Sequence, residues 1–145
     1  MPKILIVYDG VNTGIMAKAI AAGVFLIKEM DVIIKNINEI KTEDLESADA
    51  ILLGSPTINK DISSKMKVFI QQIKGLQLQG KVGSAFGSYG WSGEAPNLLT
   101  DILLQFSMNL YYPILRVKRQ PNEKDLEECR GWGKEIAEIT ARNQR

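Results

Sequence analysis

A chain of 145 residues, 45% of them hydrophobic, is long enough to bury one full globular core. Its net charge of +1 leaves no electrostatic footprint for nucleic acid or an anionic membrane surface. With no histidine and one cysteine, Cys129, these residues cannot build a Ser-His-Asp or Cys-His site, an imidazole-held metal, a cysteine-held cluster or an internal disulfide.

Ile4–Tyr8 is a short apolar run rich in β-branched residues and predicts a first strand. Thr13–Glu29 follows with helical spacing. Val32–Ile37 predicts a second strand, and Thr42–Glu46 a short helix within the surface connection Asn38–Ser47. Ala50–Leu53 predicts a third strand, Ile62–Ile73 a helix and Val82–Phe86 a fourth strand. Ala95–Phe106, extending to Met108, has helical periodicity with Pro96 in its first turn, where proline is tolerated. Pro113–Val117 gives a less regular fifth strand, Arg119–Asn122 a surface connection and Glu123–Ala141 a last helix.

Strands alternating with helices build crossover units and a parallel sheet covered on both faces. The first, third and fourth strands lack polar alternation, as doubly buried strands do. The expected fold is therefore α/β, a three-layer αβα arrangement. Its sheet is doubly wound, five-stranded and parallel, with order 2-1-3-4-5, in a single domain spanning residues 1–145.

In that order the ligand crevice opens beside the carboxyl ends of strands 1, 3 and 4, where three loops converge. The first is Asp9-Gly10-Val11-Asn12-Thr13, leading into a helix. A helix N-terminus offers unpaired N–H groups and a positive dipole end, so it can hold a phosphate without a basic side chain. Asn12 or Thr13 acting as a plain helix cap explains the same residues, and Asp9 would repel a dianion. The second loop places Ser55, Thr57 and Asn59 at alternate positions around Pro56 and Ile58. These polar groups suit a phosphate, a sugar-like chain or a ring edge, while Asp61 suits a cap on the following helix. The third, Phe86-Gly87-Ser88-Tyr89-Gly90-Trp91-Ser92-Gly93-Glu94-Ala95, combines three glycines with two large aromatics, Tyr89 and Trp91, after the strand-end Phe86. Its glycines let backbone approach a flat ligand, and its aromatics can cover a ring face.

Gly54-Ser55-Pro56-Thr57-Ile58-Asn59 and the segment Phe86–Ala95 resemble the two flavin-ring loops of the flavodoxin module in flavodiiron (A-type) flavoproteins. The resemblance continues through Lys74-Gly75-Leu76, Gly80-Lys81, Leu115-Arg116-Val117, Pro121, Asp125-Leu126 and Cys129, and so covers nearly the whole chain. It implies a flavodoxin-like fold and FMN as cofactor. Asp9, Gly10, Asn12 and Thr13 would then form the phosphate loop. Ser55, Pro56, Thr57, Ile58 and Asn59 would meet the phosphate, ribityl chain or ring edge. Ser88, Tyr89, Gly90, Trp91 and Gly93 would line the isoalloxazine, with Trp91 as an aromatic wall. The first loop departs from the family, being about two residues shorter, although its Asn-Thr pair and the acidic position at Asp9 are kept. The family's di-iron half, which uses histidine ligands, has no counterpart in these residues.

The expected function is electron transfer by bound FMN, with a redox protein as partner, rather than a stand-alone enzyme. No catalytic residue, metal, nucleic acid or membrane partner is expected. Two alternatives remain open: an FMN-dependent reductase of a small substrate, and a flavin-free interaction module with a degenerate phosphate loop. A lone cysteine and a short N-terminal apolar run suggest the cytoplasm. Cys129, Trp132 and the methionines Met16, Met30, Met66 and Met108 read as packing residues.

Overall fold

Three apolar runs form the centre of the sheet. β1 (Lys3–Tyr8) leads into α1 (Val11–Phe25), and β2 (Asp31–Asn36) into the short α2 (Thr42–Ser47). β3 (Ala50–Gly54) is followed by α3 (Ser64–Ile73), and β4 (Val82–Tyr89) by α4 (Ala95–Gln105). β5 (Asn109–Leu110), β6 (Leu115–Lys118) and α5 (Glu123–Asn143) complete the chain. The computed structural model describes residues 1–143.

Every strand pairing is parallel, in the order β2-β1-β3-β4-β5, with β6 also on β4. This is the expected 2-1-3-4-5 sheet, but its fifth strand comes in two pieces. Asn109 and Leu110 pair with Val82 and Gly83, and Leu115–Lys118 pair with Phe86–Tyr89. Pro113 lies between the pieces, outside either strand; lacking an N–H, it cannot donate to a ladder. Its carbonyl instead accepts a hydrogen bond from the Trp132 indole N–H at 2.7 Å.

The period of two along each central strand sorts its side chains into two cores. Ile4, Ile6, Ala50, Leu52, Val82 and Phe86 face α1 and α5. Leu5, Val7, Ile51, Leu53 and Ala85 face the α2, α3 and α4 layer. β2, at the edge, is only partly covered. Trp132 and the four interior methionines are buried as expected, and Trp132 meets Phe86 edge-on with ring centroids 6.0 Å apart. Cys129 is fully buried, and desolvation pushes its thiol up to about 12, with Asp125 and Glu128 adding to the shift. Such a thiol stays protonated and unreactive at neutral pH.

Two boundaries differ from the sequence reading in ways that shape the site. β4 runs on to Tyr89 rather than stopping at Phe86, because β6 supplies a partner along its last four residues. α1 begins at Val11 rather than Thr13, directly after Gly10.

Candidate functional site

The carboxyl ends of β1, β3 and β4 bring the three loops together. Gly10 adopts φ 98°, ψ 157°, a conformation that L side chains rarely take. Its position is also tight, since a Cβ there would lie 3.3 Å from two ring carbons of Pro56. The first and second loops are therefore in contact at a point where only glycine fits without strain. The Asp9 N–H donates to the Gly54 carbonyl at 3.1 Å and ties the loop to β3.

Gly10 has no side chain to cap α1, and no side-chain hydrogen bond caps this helix. The first intrahelical bond is Gly14 N–H to the Gly10 carbonyl at 3.0 Å, which leaves the amides of the first turn available. Neither Asn12 nor Thr13 is the cap. Thr13 is fully buried, and its hydroxyl pairs with that of Ser88 at 2.8 Å, joining the first loop to the end of β4. Asn12 faces the cleft between the loops.

In the second loop Ser55 is fully buried. Its hydroxyl donates to the Pro56 carbonyl at 2.8 Å and accepts from the Ser63 N–H at 3.0 Å. Its contribution is to hold the loop's course. The Thr57 hydroxyl accepts from the Ala95 N–H at 3.0 Å, at the start of α4, and so binds the second loop to the third. Beyond it, Ile58 and Asp61 exchange two backbone hydrogen bonds across a tight turn. Its central residues, Asn59 and Lys60, have φ of 51° and 63°, the left-handed pair of a type I′ turn. Asp61 does not cap α3. Ser63 does, accepting from the Met66 N–H at 3.2 Å, so the helix begins at Ser64. The Asp61 carboxylate binds Lys67 at 2.6 Å, and this hydrogen bond holds it below the usual carboxylate range.

The third loop leaves β4 after Tyr89. Gly87 passes so close to β3 that an added Cβ would sit 2.4 Å from the Ser55 carbonyl oxygen. Ser88 is buried and Gly90 borders open space. Trp91 is 93% exposed, so a large aromatic face stands free at the rim. The Gly93 carbonyl accepts from Arg116 Nε at 2.8 Å, and the same guanidinium reaches Asn97. One carboxylate oxygen of Glu94 is buried with no hydrogen-bond partner among the described residues. An orphaned buried acceptor of this kind calls for a donor from outside the chain.

Asn12, Pro56, Thr57, Ser88, Tyr89, Gly90 and Arg119 line a common cavity of about 250 Å³. A neighbouring cavity of about 330 Å³ lies among Tyr89, Ser92, Gly93, Glu94, Asn97, Leu98 and Arg116. A larger one, about 480 Å³, sits at the carboxyl ends of α3 and α4, on the opposite sheet edge and away from the three loops. The two loop cavities offer the first turn of the uncapped α1 at Asn12, hydroxyl and amide side chains and an unpaired acceptor, and the exposed indole of Trp91 follows Gly90 directly in the chain. That donor and acceptor set fits a ligand with a phosphate, a hydroxylated chain and a flat ring bearing N–H groups. Sequence reasoning missed Arg119, which it assigned to a surface connection, and Glu94. Nothing in a linear pattern marks a carboxylate as buried or a connection as bordering a cleft. Among the described residues no cluster of acidic or cysteine side chains could hold a metal.

Comparison with known proteins agrees with this geometry. The family model described as Flavodoxin matches residues 10–133. A type A flavoprotein of Rhodobacter capsulatus is 44% identical over 94 residues, covering 65% of this chain and 22% of that protein. An anaerobic nitric oxide reductase flavorubredoxin of Escherichia coli is 37% identical over 145 residues, covering 93% of this chain and 29% of its own length. This chain thus spans less than a third of the length of these relatives. Among solved structures, a flavodoxin from the domain Archaea superposes with a TM-score of 0.91 at 38% identity, covering 96% of this chain and 99% of that one. The rubredoxin:oxygen oxidoreductase of Desulfovibrio gigas superposes with a TM-score of 0.89 at 30% identity, over 98% of this chain and 37% of that one. With the family model, the sheet order and the three-loop cleft in agreement, the chain belongs to the flavodoxin family, whose cofactor is FMN.

Proposed function

We propose that this chain is a one-domain electron carrier, residues 1–145, that holds FMN in the three-loop cleft and exchanges electrons with a separate redox protein. The observation that carries the reading is the convergence of the uncapped α1 N-terminus, Thr57 and Ser88–Gly90 on one cleft, with the exposed Trp91 next in the chain after Gly90. The first-turn amides of α1 and the Asn12 side chain hold the phosphate, with Asp9, Gly10 and Thr13 fixing their position. Thr57, Ile58 and Asn59 border the ribityl chain and ring edge, on a loop shaped by Ser55 and Pro56. Ser88, Tyr89, Gly90 and Gly93 line the ring, and Trp91 covers one face. Bound FMN supplies one- and two-electron chemistry, which the surrounding residues tune through stacking, hydrogen bonds and charge.

The relatives named for oxygen or nitric oxide reduction are longer proteins. These 145 residues hold no histidine, so an imidazole-ligated di-iron centre is not built from them. No helix among the described residues is long and apolar enough to cross a membrane. A single buried thiol suits a reducing compartment, and we place the protein in the cytoplasm. The test is to load the protein with FMN, reduce it with dithionite and mix it with oxidised cytochrome c as a generic acceptor. The carrier reading predicts cytochrome reduction in proportion to bound FMN and no turnover of NADH or NADPH by the purified protein. Sustained nicotinamide oxidation by the chain alone would make it a reductase.

A further inference from the structure

The cavity shared by the three loops has one cation on its wall, Arg119, immediately after β6. The Arg119 N–H donates to the Tyr89 carbonyl at 2.7 Å, which extends the β4–β6 pairing by one residue and fixes the backbone at the cleft. Its φ is 62°, a left-handed conformation that glycine or asparagine adopts far more readily than arginine. The side chain is exposed and forms no salt bridge among the described residues. A long cation therefore stands free on the cleft wall, at a backbone position that does not favour it.

The first loop makes a cation there useful. Residues 9–14 contribute no basic side chain, and they include Asp9. The uncapped α1 N-terminus carries roughly half a positive charge, against roughly −1.5 to −2 on a phosphate monoester near pH 7. The Thr13 hydroxyl is turned inward to Ser88 and is not free to help. Lys18, the nearest basic residue along α1, shares a separate cavity with Gly10, Val11 and Gly14 of the first loop, but Asn12 and the second and third loops do not line it. Arg119 is the cation that shares a cavity with Asn12.

Building on the FMN reading above, we propose that Arg119 is a phosphate contact that supplies the positive charge the short first loop lacks, and so makes the site select FMN over riboflavin. The two flavins share the ring and ribityl chain and differ only in the phosphate. The test is a pair of equilibrium titrations, FMN and riboflavin, on wild-type protein, Arg119→Asn and Arg119→Lys. Asparagine suits the left-handed backbone and removes the charge. Arg119→Asn should bind FMN roughly 10- to 100-fold more weakly, the cost of a lost charge-assisted hydrogen bond, while riboflavin affinity stays the same. Arg119→Lys should recover part of the loss. FMN affinity should fall with added salt more steeply in wild type than in Arg119→Asn. The Arg119→Asn apoprotein should unfold at the wild-type temperature or above it. Unchanged FMN affinity in Arg119→Asn, an equal loss for both flavins, or a less stable apoprotein would overturn the assignment. Unchanged FMN affinity would point instead to a surface charge for a protein partner. Wild-type protein that binds neither flavin would overturn the FMN reading itself, and this inference with it.

Discussion

The hydroxyl pair Thr13–Ser88 is the most direct link between the phosphate side and the ring side of the cleft. The two oxygens lie 2.8 Å apart, Thr13 is fully buried and Ser88 is 5% exposed. Neither hydroxyl has another partner among the described residues. Thr13→Val keeps the shape of the side chain but strands the Ser88 hydroxyl, and Ser88→Ala strands that of Thr13. Each single change should cost about 1–3 kcal/mol, the desolvation penalty of an unsatisfied buried group. The double variant strands nothing and loses only the net value of one hydrogen bond, about 1 kcal/mol. The two changes should thus be non-additive, the double variant losing at least about 1 kcal/mol less than the two single losses together. For a domain of this size each kcal/mol lowers Tm by roughly 2–4 °C. Urea unfolding of the four apoproteins, followed by circular dichroism, measures the cycle. Additive losses, or a double variant less stable than either single one, would refute the claim that each hydroxyl satisfies the other.

Further expectations follow from the same geometry. Trp91→Ala should leave apoprotein stability within about 0.5 kcal/mol, because the ring is 93% exposed, yet weaken FMN binding by about 1 kcal/mol in a fluorescence titration. Gly133→Ala should destabilise the fold by at least about 2 kcal/mol in denaturant melts, since its Cβ would sit 2.1 Å from the Ile20 carbonyl oxygen where α1 crosses α5. Cys129 should resist Ellman's reagent at pH 8 in the native protein and react fully in guanidinium, because burial holds the thiol at about 12. Burial likewise raises the Tyr111 hydroxyl to about 12, helped by its hydrogen bond to Glu135. The unfolded chain therefore ionises first. Both groups contribute stability that is intact at neutral pH; the Cys129 share declines from about pH 9 and the Tyr111 share from about pH 10, both towards pH 12, which melts at stepped pH would show.

The sheet order and the positions of the three loops were legible because they rest on composition that repeats along the chain. Ile4–Val7, Ala50–Leu53 and Val82–Phe86 are apolar without alternation, and the structure buries them on both faces. Element ends were less legible, because tertiary partners set them. β4 reaches Tyr89 only because Leu115–Lys118 lie alongside it, a pairing nearly thirty residues away in sequence. α1 starts at Val11 because Gly10 takes a backbone that turns sharply against Pro56, and sequence shows the glycine but not its neighbour. The polar residues of the loops could be named in advance, but not which of them face the cleft. Ser55 and Thr13 turn into the protein, whereas Asn12 and Thr57 line the cavity. Arg119 looked like part of an ordinary connection, since neither its left-handed backbone nor its place beside Asn12 leaves a mark on composition.

The central claim is that the three-loop cleft holds one FMN. The measurement that tests it most directly is the visible absorption spectrum of the freshly purified protein, followed by an FMN fluorescence titration of the apoprotein. The account predicts flavin bands in the purified protein, or saturable quenching of added FMN with an endpoint of one per chain. A colourless protein that leaves FMN fluorescence unchanged at excess would contradict it and leave the cleft to a partner other than flavin.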